Sequence, residues 1–215
     1  EEDAEGALRA LAERLGVGRI QRGTHRVTEP VPGRPEGALN PMTLAQAIAT
    51  TLPEHAIVVD ESATGGVFLL GATAGAPQHD WLSLTGGAIG MGMPAAVGAA
   101  LACPDRRVLN VESDGSAMYT LQALWTQARE SLDVTTVLLS NRSYALLNME
   151  LVRTGAAPSL EAAKLFDLSG PTLDFVSLAK GMGVPGIRVD DAASLVQALE
   201  ASYATPGPQL IEAWL

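Results

Sequence analysis

The sequence predicts an α/β fold, a doubly wound and mainly parallel β-sheet with helices on both faces. Short apolar segments have the composition of buried strands, segments of helical periodicity lie between them, and an acidic or amide residue ends or follows each strand segment. This alternation of strand and helix is typical of βαβ units, which build parallel sheets covered by helices. The predicted strands are residues 56–60, 107–111, 134–140 and 186–189.

The predicted helices fall before and between these strands. Pro41 is suited to the first turn of a helix, and Leu44, Ile48 and Leu52 follow it at helical spacing. Further segments of helical periodicity are residues 90–102, 119–130, 144–152, 173–182 and 192–203. In a sheet of this type, ligands bind beyond the carboxyl ends of the strands.

The first 40 residues differ from the rest of the chain. Residues 1–15 carry one apolar stripe, which predicts an amphipathic helix. Residues 16–40 lose this periodicity and are rich in proline and glycine, a composition typical of a linker. We therefore expect residues 1–40 to be the end of a preceding domain and a linker, residues 41–215 to form one domain, and the chain to begin inside a longer protein.

Composition excludes several classes of partner. The formal net charge is −10 and lysine and arginine are not clustered, which argues against a nucleic-acid partner. No apolar run approaches the ~20 residues needed to span a bilayer, so we expect no membrane contact. The single Cys103 excludes an internal disulfide framework and is compatible with a reducing cytoplasm, where we expect the protein to be located.

The segment that follows the second predicted strand has the features of an anion site. Gly115 allows close approach of the backbone, and the N–H groups at the start of the next helix, with the Ser116 hydroxyl, suit a phosphate. Asp114 would repel a bare phosphate, so it indicates a divalent cation such as Mg²⁺. Asn141, at the end of the next strand, is a candidate second ligand. The alternative is that Asp114 and Gly115 form an ordinary turn.

This pattern resembles the fingerprint of thiamine-diphosphate (ThDP) enzymes, usually written GDG…N. Twenty-five residues lie between Gly115 and Asn141, which suits that family. The resemblance implies that Mg²⁺ is bound by the side chains of Asp114 and Asn141 and by the main-chain carbonyl of Ser143. The metal would in turn bind the cofactor's diphosphate.

The resemblance also assigns the diphosphate contacts. Gly115, Ser116 and Tyr144 stand at the positions where family members bind the diphosphate. The first glycine of the fingerprint is replaced by Ser113, and Glu112 precedes it. Because serine adopts extended backbone at little cost, we expect the loop to be retained.

A glycine-rich segment, residues 85–98, resembles the stretch that holds the aminopyrimidine ring in this family. The resemblance places Gly87 where a carbonyl accepts a hydrogen bond from the 4′-amino group, and Ile89 where an aliphatic side chain wedges between the two rings. The bent cofactor then brings the 4′-nitrogen beside the C2 proton, which makes Gly87 and Ile89 the catalytic contribution of this chain. Core packing is the alternative role for Ile89.

The same segment has a second interpretation. Residues 90–95 satisfy the G-x-G-x-x-A pattern of dinucleotide-binding folds, and Glu112 ends the following strand. That interpretation leaves the pairing of Asp114 with Asn141 unexplained, so we favour ThDP.

Residues 141–147, 173–183 and 208–212 extend the resemblance to acetolactate synthases and benzoylformate decarboxylases. Leu146, Leu147 and Glu150 stand where family members contact substrate, although Leu147 and Leu151 also suit a helix core. The resemblance implies decarboxylation of a 2-oxo acid followed by joining to a second carbonyl compound, as in acetolactate synthase. Benzoylformate-type decarboxylation and a non-catalytic subunit are the alternatives.

Family members activate the cofactor with a glutamate on a separate pyrimidine-binding domain, and no segment here resembles that domain. The resemblance therefore implies a partner, the pyrimidine-binding domain of a second subunit, and a homo-oligomer. We expect this chain to be catalytically incomplete without it.

Overall fold

A six-stranded, all-parallel sheet forms the centre of the molecule, in the order β2-β1-β3-β4-β6-β5. The computed structural model describes residues 3–16, 29–156 and 159–215. The strands are β1 (Ile57–Glu61), β2 (Asp80–Ser83), β3 (Val108–Ser113), β4 (Val134–Ser140), β5 (Gly186–Val189) and β6 (Gln209–Trp214). The predicted α/β fold with a parallel sheet is confirmed.

Ten α-helices and one 3₁₀ helix (Ala63–Gly66) occur among the described residues. The helices are α1 (Ala4–Arg14), α2 (Pro41–Thr51), α3 (Leu69–Thr73), α4 (Gly92–Ala102), α5 (Asp114–Thr120), α6 (Ala123–Arg129), α7 (Ala145–Arg153), α8 (Leu160–Phe166), α9 (Phe175–Gly181) and α10 (Ala192–Ala204). The Asn40 side chain accepts hydrogen bonds from the N–H groups of Met42 and Thr43, which explains why α2 begins at Pro41.

Helices bury both faces of the sheet. On one face, α2 and α10 pack Leu44, Ile48 and Leu199 against the strands. On the other face, α4, α6 and α9 contribute Met93, Leu124, Phe175 and their neighbours. Full burial of each such side chain stabilises the fold by about 1.5–3 kcal/mol, which makes this two-sided packing the main source of stability.

Two strands were not predicted, for different physical reasons. β2 is a short, largely exposed edge strand, so it lacks the apolar run that marks a buried strand. β6 is buried, but the fully buried Glu212 interrupts its apolar pattern. The carboxylate of Glu212 is compensated by Arg188 on the neighbouring strand, a contact that only the sheet register creates.

The helix predicted over residues 119–130 is wrong in its extent. The structure has two helices there, α5 and α6, and α5 begins at Asp114 directly after β3. The short helices α3 and α8 were not predicted either. The helices predicted near residues 41–52, 90–102, 144–152, 173–182 and 192–203 are present with small shifts at their ends.

The described part of the predicted linker contacts α10. The Ala192 N–H donates to the Gly37 carbonyl at 2.9 Å, and Arg34 pairs with Glu200. Residues 17–28 lie outside the described residues. Helix α1 is present at residues 4–14, and the three leucines of its predicted stripe are exposed: Leu8, Leu11 and Leu15.

Within the described residues, no helix combines the length and the apolar composition that crossing a bilayer requires.

Candidate functional site

The strand order brings the candidate residues to one edge of the sheet. After β1 the chain adds β2 on one side and β3 on the other, so the topology reverses between β1 and β3. Such a switch point opens a crevice at the carboxyl ends of the strands, where ligands bind in folds of this kind. Glu61, Asp114 and Asn141 lie at or directly after the ends of β1, β3 and β4.

Asp114 is the first residue of α5 and is 2% exposed. Its Oδ2 accepts a hydrogen bond from the Arg142 N–H at 2.6 Å, and its Oδ1 accepts one from the Gly115 N–H at 2.8 Å. Burial raises the pKa of Asp114, and these backbone hydrogen bonds oppose the rise. A bound cation would stabilise the ionised carboxylate in this buried position.

The turn that follows β4 presents the other two predicted ligands. Asn141 Oδ1 accepts a hydrogen bond from the Ser143 N–H at 2.9 Å. Ser143 and Asp167 face each other in an antiparallel bridge. The bridge is made by the Tyr144 N–H, which donates to the Phe166 carbonyl, and by the Leu168 N–H, which donates to the Arg142 carbonyl. These bonds leave the Ser143 carbonyl oxygen for another partner.

The donors gathered here suit Mg²⁺. The Asp114 carboxylate accepts a hydrogen bond from Arg142, the residue between Asn141 and Ser143, so it contacts the turn that carries the other two predicted ligands. A carboxylate, an amide oxygen and a carbonyl are all hard oxygen ligands. The described residues contain no group of three or more His, Cys, Asp and Glu side chains able to hold a metal. An ion here would therefore depend on the main-chain carbonyl and on oxygens from the cofactor and water.

The predicted diphosphate loop requires glycine at position 115. A Cβ atom on Gly115 would lie 2.6 Å from Cε1 of Tyr144, so the tyrosine ring packs directly on the loop backbone. Ser116 is buried, and its hydroxyl accepts a hydrogen bond from the Ser113 hydroxyl at 2.8 Å. Gly115, Ser116 and Tyr144, all predicted to contact the diphosphate, thus lie together at the start of α5.

Ser113 fits the loop without strain, because its φ of −88° and ψ of 150° are ordinary extended values. We expect Ser113→Gly to lower the free energy of unfolding by about 1 kcal/mol or less, through unfolded-state entropy and the lost hydroxyl contact. ThDP affinity should stay within about twofold of wild type, because an extended backbone suits either residue. Thermal unfolding and titration calorimetry measure the two effects. A large loss of affinity would reveal a direct role for the Ser113 hydroxyl.

The glycine-rich segment before α4 uses backbone conformations that favour glycine. Gly86, Gly87 and Gly90 have φ angles of +64°, +71° and +92°. A Cβ on Gly87 would meet open space, whereas one on Gly90 would approach Tyr119 at 3.1 Å. Ile89 is 45% exposed, so its side chain does not belong to the core described here.

Glu61 anchors this segment, a role that the sequence analysis missed. Its two carboxylate oxygens accept hydrogen bonds from the N–H groups of Gly90 and Gly92 at the start of α4. These are N–H groups that a dinucleotide-binding loop would offer to a pyrophosphate. Because a buried carboxylate of the chain already occupies them, the dinucleotide interpretation of residues 90–95 is disfavoured.

Glu112 lies opposite Glu61 in the register of β1 and β3. A Cβ on Gly92 would contact both carboxylates, so the two groups converge at the start of α4. Burial, and secondly the charge of Glu61, raise the pKa of Glu112 to about 9. Glu112 is therefore protonated at neutral pH. The acidic residues ending both strands were visible in the sequence, but their pairing depends on the sheet register.

The predicted substrate-contacting residues lie on α7, which has no buried residue. Leu146 and Leu147 are 50% and 45% exposed, so they are not core residues in this chain. Glu150 forms an ion pair with Arg153 at 2.7 Å on the surface of the helix.

Known proteins share sequence with most of this chain. Residues 64–213 match the family model described as "Thiamine pyrophosphate enzyme, C-terminal TPP binding domain". A Mycobacterium tuberculosis protein named "Putative acetolactate synthase large subunit IlvX" is 54% identical over 213 residues, covering 97% of this chain and 40% of that protein. The benzoylformate decarboxylase of Pseudomonas aeruginosa is 35% identical over 177 residues, covering 82% of this chain and 32% of its own length.

Solved structures give the same relationship. The ThDP-dependent 4-hydroxybenzoylformate decarboxylase of Rhodococcus jostii superposes with a TM-score of 0.73 at 31% identity, covering 96% of this chain and 38% of that one. The chain thus spans two fifths or less of the length of these relatives. It belongs to the thiamine pyrophosphate enzymes, and residues 64–213 are their C-terminal TPP-binding domain.

Proposed function

We propose that this chain holds the diphosphate of ThDP through Mg²⁺, as part of an acetolactate synthase-like enzyme. The observation that carries the proposal is the hydrogen bond from the Arg142 N–H to the buried Asp114 carboxylate. It places the Asp114 carboxylate against the turn that carries Asn141 and Ser143, at the carboxyl ends of β3 and β4. Asp114, Asn141 and Ser143 would hold the metal, with Gly115, Ser116 and Tyr144 around the diphosphate.

The other end of the cofactor would lie against the glycine-rich segment. The Gly87 carbonyl would accept a hydrogen bond from the 4′-amino group, and the half-exposed Ile89 would support the bent conformation. When bound, ThDP supplies the electron sink that decarboxylation of a 2-oxo acid requires. The exposed Leu146 and Leu147 of α7, with Glu150, would contact substrate.

Acetolactate-type chemistry is the first candidate for the whole protein because the 54% identity to the Mycobacterium tuberculosis protein extends over 213 residues. Benzoylformate-type decarboxylation is the second, supported by the Rhodococcus jostii structure and the Pseudomonas aeruginosa relative. We further propose a homo-oligomer in the cytoplasm, in which the pyrimidine-binding domain of a second subunit completes the site.

Replacing Asp114 tests the metal site. We expect titration calorimetry to show ThDP binding to wild type with Mg²⁺, and binding weaker by more than about 100-fold both in excess chelator and in Asp114→Ala. The substitution also leaves the Arg142 and Gly115 N–H groups without their acceptor, so circular dichroism and thermal unfolding check that the variant remains folded under the binding conditions.

Asp105→Ala is a matched control. Asp105 is an exposed aspartate shortly before β3, at the opposite end of that strand from Asp114. This variant should bind like wild type. Equal ThDP affinity with Mg²⁺ and with excess chelator would contradict the metal assignment. Failure of wild type to bind in either condition would favour the non-catalytic subunit, the alternative that Ser113 and the missing activating glutamate permit.

A further inference from the structure

Trp214, at the end of β6, is contacted by two arginines. The guanidinium carbons of Arg142 and Arg188 each lie 4.5 Å from the centre of its ring. The Trp214 indole N–H donates to Glu212 Oε1 at 2.9 Å, and Arg188 Nε donates to Glu212 Oε2 at 3.0 Å. Because Glu212 is fully buried, its carboxylate fixes both the ring and one of the stacked arginines.

Arg142 has a backbone conformation that L-residues rarely adopt. Its φ of +55° lies in the left-handed region, where a non-glycine residue needs support from surrounding structure. In this conformation its N–H donates to Asp114 and its carbonyl accepts from the Leu168 N–H. The strained residue is therefore the one that joins the two halves of the candidate metal site.

The sheet register places the stack next to this turn. Trp214 is the register partner of Ser140, the last residue of β4, and the turn of residues 141–143 follows at once. Stacking on an aromatic face suits the planar guanidinium of arginine better than the ammonium of lysine. The side chain of Arg142 thus stacks on a residue at the carboxyl end of β6, a strand that is paired on both sides.

We propose that Trp214 is a positioning residue for the metal-binding turn. Its ring holds the Arg142 side chain, and thereby keeps the Arg142 N–H directed at Asp114 with Asn141 and Ser143 on either side. The inference rests on the proposed function only for the identity of the ligands. The other part of the proposal, that Trp214 fixes the Arg142 backbone, can be tested in the chain without any cofactor.

Two measurements on the full chain test the two parts. Amide hydrogen exchange followed by NMR, without metal or cofactor, reports the Arg142 N–H. Titration calorimetry with Mg²⁺ reports ThDP affinity. For Trp214→Leu we expect about tenfold faster exchange at Arg142 and about tenfold weaker ThDP binding, from the loss of two cation–π contacts. For Trp214→Phe, which keeps a ring face, both changes should be less than about threefold.

Trp125→Leu is the matched control. Trp125 also stacks with an arginine, at 4.8 Å from Arg129, but it lies on α6 and is half exposed. Neither measurement should change in this variant. Should Trp214→Leu fail to fold, Arg142→Lys is the second variant. It removes the planar stacking group together with the 3.5 Å guanidinium hydrogen bond to the Leu215 carbonyl, and should still speed exchange at residue 142 severalfold.

The variant Arg142→Gly distinguishes positioning of Arg142 by Trp214 from a general effect of Trp214 on the packing of the fold. Gly adopts positive φ without strain, so Arg142→Gly keeps the turn available without the stack. In that background Trp214→Leu should have no further effect on ThDP affinity, which is the non-additivity expected of residues that act through one another.

The outcomes distinguish this inference from the proposed function. Unchanged Arg142 exchange in folded Trp214→Leu, or full additivity with Arg142→Gly, would overturn the positioning role. A wild-type chain that bound no ThDP would overturn the proposed function, while the exchange measurement would still decide whether Trp214 holds Arg142.

Discussion

Replacing Glu112 with glutamine should stabilise the chain by about 3 kcal/mol at pH 7. The pKa of Glu112 rises from 4.5 when unfolded to about 9 when folded, mainly through burial. Between these values the folded state keeps a proton that the unfolded state loses, so folding becomes less favourable by about 1.4 kcal/mol per pH unit. The contribution of Glu112 to the free energy of unfolding is fully present below pH 4.5 and is lost as the pH rises toward 9. Glutamine, which does not titrate, removes this loss.

Urea unfolding of wild type and Glu112→Gln from about pH 5 to pH 8, with chelator present, measures the effect. The difference in free energy of unfolding should be below about 1 kcal/mol at pH 5 and grow steadily with pH. Glu150→Gln is the control, because Glu150 lies on the surface of α7, where it pairs with Arg153. Parallel pH profiles for wild type and Glu112→Gln would show that Glu112 is ionised in the fold, with its charge compensated in another way.

Elements whose signal lies in their own residues were predicted correctly from the sequence, whereas elements that depend on contacts distant in sequence were missed. Strands β1, β3 and β4 each contain at least three Val, Ile or Leu residues, so composition alone located them. Asp114 and Asn141 directly follow β3 and β4, and the parallel topology places both at the carboxyl ends of the strands. β6 was missed because Glu212 is polar, and its burial depends on Arg188 from a strand that pairs only in the folded sheet.

The parts of the site that escaped prediction all depend on contacts distant in sequence. Glu61 anchors Gly90 and Gly92, about 30 residues away, and nothing in its local sequence distinguishes it from a solvated strand end. Trp214 reaches Arg142 only through the register of β4 and β6. The sequence therefore suggested which residues bind the metal and the cofactor, a prediction that the fold makes geometrically possible. The residues that orient them became visible only in the tertiary structure.

Because Glu61 anchors the start of α4, it is not available to activate a bound cofactor. With Mg²⁺-ThDP bound to this chain alone, we expect the C2 proton of the cofactor to exchange at close to the rate in free ThDP. The family resemblance implies activation by a glutamate at the pyrimidine N1′, in a site from which water is excluded. Both oxygens of Glu61 are engaged by the Gly90 and Gly92 N–H groups, and Glu112 beside it is protonated at neutral pH.

Exposure of the pyrimidine side of the site to water is a second reason to expect slow C2 exchange. Ile89, the proposed wedge beside the pyrimidine, is 45% exposed in the chain by itself, so water would reach that face of the cofactor. In a complete enzyme, a pyrimidine-binding domain would cover this face and supply the missing carboxylate. Correct placement of a general acid or base is worth roughly 10²–10⁴ in rate, which is the difference we expect.

Proton–deuterium exchange at C2, quenched with acid and read by NMR, compares this chain with a full-length benzoylformate decarboxylase. The decarboxylase should exchange at least about 100-fold faster. Glu61→Gln should leave the exchange rate of this chain unchanged, because the Glu61 oxygens hold the start of α4 rather than the cofactor. Fast exchange in wild type that Glu61→Gln abolished would instead make Glu61 the activating base, and a second subunit would then not be needed for this step.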